Sequence, residues 1–205
     1  MTLLNILLLT TPLLVGIVVF TLHGLIRAVT AHVCGDKTIK PAKRLTLNPL
    51  KHLEPIGLVF FFFFGFGWGR PVETNPLYFR HDRKKAALAI AIIPLVSLFI
   101  FAGIFALVSY MMFMDTQPIM MDQGQYAVFY IFSEAARLTF LLSILNLIPI
   151  WPMDLNRAVK AVNPAAWMRM QGKEPVMQIV LIVLIIFGVL NWLFDPIVYG
   201  ILRWL

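Results

Sequence analysis

The chain of 205 residues has one cysteine, Cys34, so neither an internal disulfide nor a thiolate metal cluster can form within it. Charge is scarce as well. Only 13% of residues are Asp, Glu, Lys or Arg, against about a quarter in soluble domains. A soluble surface cannot be built from so few charges when 60% of the chain is hydrophobic. The excess apolar surface must face lipid, and the chain is expected to be an all-α, multi-pass membrane protein. The N-terminus lacks the basic region of a cleavable signal, and its apolar run continues past residue 20, so a retained transmembrane helix is expected. No basic and aromatic platform for single-stranded nucleic acid stands out. The net charge of +7 fits loop asymmetry and anionic headgroups, so no nucleic-acid partner is expected.

Four segments are long and apolar enough to span about 20 residues of bilayer: 3–33, 86–114, 126–150 and 176–202. The connection 34–85 carries ten Lys or Arg, 115–125 none, and 151–175 four. The positive-inside rule then places 34–85 and 151–175 in the cytoplasm and both termini outside, with only Arg203 in weak opposition. A fifth apolar run, "IGLVFFFFFGFGWGRP" (56–71), is too short to span. Its Phe and Val residues favour extended structure, and Gly65, Gly67 and Gly69 break helices. A re-entrant loop or hairpin over 56–70 is expected, shielded by the bundle. The whole chain reads as a single membrane domain.

Ionisable residues inside spans are costly and mark a site or a buried pair. His23, Arg27, Glu134 and Arg137 lie within segments and Asp154 just past one. Glu134 and Arg137 are i, i+3 neighbours and are expected to form a local ion pair. Asp154 is also a candidate N-cap for the short helix "LNRAVKAV".

Three stretches together carry a resemblance. "RLTLNPLKHLEPIG" (44–57) with "FGWGRPVETNPLYFR" (66–80) resembles the loop after the first catalytic helix of bacterial site-2 proteases. These are intramembrane zinc metalloproteases. "LNLIPIWPMDLNR" (145–157) resembles that family's Asn-x-x-Pro-x-x-Pro-x-Asp-Gly segment, which supplies a zinc ligand. "LHGLIRA" stands where the family has its His-Glu-x-x-His helix.

The departures fall on the catalytic positions. A zinc hydrolase needs three protein ligands and an open water position. The resemblance maps those ligands to His23, Arg27 and Asp154, and an arginine cannot donate a lone pair. The general base would stand at Gly24, which has no side chain. The family's Gly-Pro-x-x-Asn is reduced to Pro94 in "IPLVS", and Leu155 replaces a glycine.

The site His23, Gly24, Arg27 and Asp154 is therefore read as vestigial, with no metal, no cofactor and no catalytic residue. Arg27 is expected to pair with Asp154 in place of the ion, the competing account being that it snorkels to the headgroups. The resemblance implies a bacterial cytoplasmic membrane. It also implies a groove for a partner or substrate at Phe61, Phe62, Phe63, Gly65, Trp68, Asn146 and Pro149, engaged by β-augmentation. A pseudoprotease that binds another membrane protein is the leading reading. The alternatives are a metalloprotease with a rebuilt centre drawing on His52, and a solute or proton path through the former cavity.

Overall fold

The computed structural model describes residues 3–80, 82–116, 118–163, 165, 168–169 and 172–201. The chain is an all-α, multi-pass membrane protein; among the described residues there is no strand. The helices are α1 (Leu3–Val33), α2 (Pro55–Phe64), α3 (Arg83–Asp115), α4 (Gln123–Leu145), α5 (Asp154–Val162), α6 (Glu174–Ile186) and α7 (Val189–Ile201). By length and composition α1, α3 and α4 can each cross a membrane, and α6 with α7 makes a fourth crossing if the bent pair counts as one. Residue 202 and Arg203 lie outside the described residues.

Local sequence explains most helix ends. Asp82 caps α3 by accepting from the Lys84 and Lys85 amides. Asp122 and Gln125 cap each other's backbone in a capping box that starts α4. At the other end of α4, the Asn146 side-chain amide (Nδ2) donates to the Leu142 carbonyl at 2.9 Å.

The structure corrects four expectations. Residues 55–64 are helical, not extended. Pro55 at the first turn and Gly65 in the left-handed region (φ 75°) frame the helix, and the Gly65 amide closes it on the Phe61 carbonyl at 2.9 Å. These end signals outweigh the weak strand preference of the phenylalanines, which gain by packing: Phe61 is fully buried, edge-on to Phe20 with centroids 5.1 Å apart. The segment 126–150 is helical only to Leu145, after which turns lead past Pro149. The segment 176–202 is two helices bent by 65° at Phe187–Gly188. Finally, Met153 is the N-cap of α5, and Asp154 is its first helical residue, where a carboxylate favours the helix dipole.

In lipid, helices associate through close packing rather than through expulsion of water. The buried face of α1 carries small residues, Gly16, Gly24, Ala28 and Ala31, so neighbours approach closely. α1 packs on α2, α3 and α4, and α5 packs on α3. The N-terminus of α5 thus meets the middle of α1, and that meeting point is the candidate site.

Candidate functional site

His23 and Arg27 are one turn apart on α1 and face the bundle; Asp154 approaches from α5. Arg27 is 4% exposed and Asp154 fully buried. One guanidinium nitrogen, Nη2, donates to Asp154 Oδ1 and also lies 2.7 Å from His23 Nε2. The arginine is turned inward and does not snorkel. His23 Nδ1 faces the Pro94 carbonyl of α3 at 3.2 Å. A carbonyl only accepts, so Nδ1 carries the proton and Nε2 is the acceptor for Arg27. Asp154 Oδ2 then lies 3.0 Å from Nε2 with no hydrogen-bond donor, so two acceptors are held together by the arginine's charge. Burial alone would raise the Asp154 carboxyl; the Arg27 guanidinium beside it outweighs burial and holds it below the usual carboxylate range, as an anion.

The surrounding residues fix these three. Asn146 Oδ1 accepts from the Asp154 amide at 3.3 Å, and its carbonyl accepts from the Leu155 amide at 3.1 Å. Ser97 donates to the same Pro94 carbonyl that receives His23, at 2.6 Å. Arg157, one turn after Asp154, donates to the Val72 carbonyl at 2.9 Å and ties α5 to the 66–80 loop. Burial, followed by the nearby Arg27 charge, lowers Arg157.

Gly24 faces the ring of His52. A Cβ at position 24 would stand 2.5 Å from His52 Nδ1, so no side chain fits there while His52 keeps its place. His52 donates from Nε2 to the Thr46 carbonyl at 2.8 Å, which leaves Nδ1 a buried lone pair without a partner. The space at the site is small. Phe20, His23, Arg27, Trp68, Asn146 and Met153 are among the residues lining a cavity of about 20 Å³, enough for about one water molecule.

The remaining candidates are placed as follows. Glu134 and Arg137 form a two-point pair on α4, at 2.9 and 2.6 Å. Of the expected groove residues, Phe61, Gly65, Trp68 and Asn146 are buried, Phe62 is half-buried, and Phe63 and Pro149 are exposed. Trp68 and Asn146 reach the site cavity; Phe61 turns into the core, edge-on to Phe20 of α1.

The chain is similar to the Bacillus subtilis (strain 168) protein described as "Putative zinc metalloprotease YwhC". It is 35% identical over 149 residues, which are 72% of this chain and 67% of that one. The chain belongs to that protein's family. No family model matches it, and no solved structure matches it.

The family name raises the question of zinc, and the donor set of this member does not fit the ion. His23 and Asp154 are metal-ligating residue types, and the Arg27 nitrogen lies between them where a cation would be shared. Among the described residues no three His, Cys, Asp or Glu side chains are grouped to hold a metal. The free lone pair of His52 is aimed at Gly24.

Sequence reasoning missed the supporting roles of Pro94, Ser97, Arg157 and His52. Pro94 was visible as a remnant of a motif. The carbonyl that it presents to His23 was not.

Proposed function

We propose that the chain is a catalytically inactive, site-2 protease-like member of its family, one that binds a transmembrane segment of another membrane protein. The observation that carries this reading is the placement of Arg27 Nη2 between His23 Nε2 and Asp154 Oδ1. A permanent cation there supplies the charge that an ion would supply, without a labile water to activate. Gly24 offers no general base and no room for one. A cavity of about 20 Å³ holds no peptide, whereas ligand sites run to hundreds of cubic ångströms. Because α2 is helical, a partner would meet a helix face bearing Ile56, Val59 and Phe63 rather than an open strand edge. The ten and four basic residues of 34–85 and 151–175 support an orientation with those loops on the cytoplasmic side of a bacterial membrane and both termini outside.

Elemental analysis of the purified protein, with proteolysis assays on what co-purifies in mild detergent, tests the reading. The expected result is no stoichiometric zinc and an intact membrane-protein partner. About one zinc per chain, lost on His23→Ala, would overturn it and favour a rebuilt metalloprotease centre.

A further inference from the structure

Away from the Arg27 site, the turn that follows α1 forms an open cavity of about 370 Å³ lined by Lys40, Lys43, Leu45, Thr46, Asn48 and Lys51. That volume lies within the range of small-ligand sites. We propose that this cavity binds the phosphate of an anionic phospholipid headgroup.

Three of the six lining residues are lysines and none is acidic. None of the three lysines is in an ion pair; the ion pairs among the described residues involve other side chains. Three like charges around one cavity disfavour each other, and an anion bound among them relieves that. A zwitterionic headgroup would bring its own ammonium into the same place and meet no acid to receive it.

The cavity is built, not a chance gathering of flexible side chains. Lys43 adopts φ 53°, a left-handed backbone conformation uncommon for a residue with a side chain. The turn around it is closed by the Lys43 amide on the Lys40 carbonyl at 2.9 Å and the Arg44 amide on the Ile39 carbonyl at 3.3 Å. The Arg44 guanidinium donates across the turn to the Lys51 carbonyl. Thr46 is fixed from both sides, its carbonyl by His52 at 2.8 Å and its hydroxyl by the Asn48 amide at 3.1 Å.

The source of the phosphate follows from the rim. Leu47 and Leu50 are 65% and 73% exposed, interleaved with the lysines, and Leu45 is also exposed. The turn connects the end of α1 to the start of α2, two apolar helices that pack together, so it lies where both leave the bilayer. There the leucines enter acyl chains while the lysines stay at headgroup depth. Free phosphate would use the lysines and leave the leucines in water.

Binding is measured on the full chain in neutral detergent, by thermal shift and by native mass spectrometry. The probes are dioctanoyl phosphatidylglycerol, dioctanoyl phosphatidylcholine and inorganic phosphate. The phosphatidylglycerol is expected to bind at least about tenfold more tightly than either other probe. The triple variant Lys40→Gln, Lys43→Gln, Lys51→Gln should lose at least about tenfold, while Arg83→Gln, Lys84→Gln, Lys85→Gln, with the same charge loss, stays within about twofold. Equal losses in the two triples would reduce the effect to diffuse attraction and overturn the proposal. So would equal affinity for phosphatidylcholine, or for inorganic phosphate. If the first triple fails to fold, the ranking of the three probes on the unaltered protein decides.

Discussion

Removing either member of the Arg27–Asp154 pair should destabilise the protein more than removing both. Both side chains are almost fully buried, so neither lost charge can be replaced by water. Breaking a buried pair from one side costs roughly 3–5 kcal/mol, whereas an apolar replacement of both members is often near neutral. The two single variants should differ. In Arg27→Leu, the anion left behind faces His23 Nε2 at 3.0 Å, and the imidazole can take up a proton and restore a pair. This loss belongs near the lower end, about 3 kcal/mol. In Asp154→Leu, the guanidinium keeps only the neutral imidazole at 2.7 Å, so the loss belongs near the upper end, about 5 kcal/mol. The double variant should lose no more than about 2 kcal/mol, which gives a coupling energy of about 6 kcal/mol. Unfolding in mixed detergent micelles, followed by circular dichroism, reads all four corners of the cycle. Additive losses would show that the two charges do not depend on each other, and the account of an internal cation would fall.

Three more expectations rest on single observations. Gly24→Ala should cost about 1–3 kcal/mol by driving a methyl into His52, and the cost should shrink in a His52→Ala background; an equal cost in both backgrounds would locate the strain elsewhere. Burial, the largest influence, lowers His52 below its ordinary 6.5, so the folded protein binds fewer protons there than the unfolded chain; stability should rise as pH rises through 6.5 and fall below it, and this slope should flatten in His52→Gln. With Cys34 replaced by Ser, single cysteines at Lys43 and Asn163 should resist an impermeant external thiol reagent and one at Gln123 should react; external labelling at position 43 would invert the topology.

The sequence by itself determined the class. With 60% hydrophobic residues and 13% charged ones, no water-facing surface could be made, and the long apolar runs could only be helices because a lipid-exposed backbone must satisfy its own hydrogen bonds. It also displayed the odd arginine at 27, since a permanent charge within an apolar run has few places to go. The end signals of α2 were equally present in Pro55 and Gly65, but they compete with the strand preference of five phenylalanines, and only packing of Phe61 against Phe20 and Gly16 settles that contest. What no linear pattern contains is the convergence of distant segments. Arg27 and Asp154 are 127 positions apart, and the meeting of their charges depends on how α5 lies against α1 and α3. The same holds for the Pro94 carbonyl on His23 and for the His52 ring over Gly24. A sequence names the groups that must be neutralised in a low-dielectric bundle. Tertiary packing alone decides which partner reaches them, because hydrogen bonds act over about 3 Å and separation along the chain does not fix distances that short.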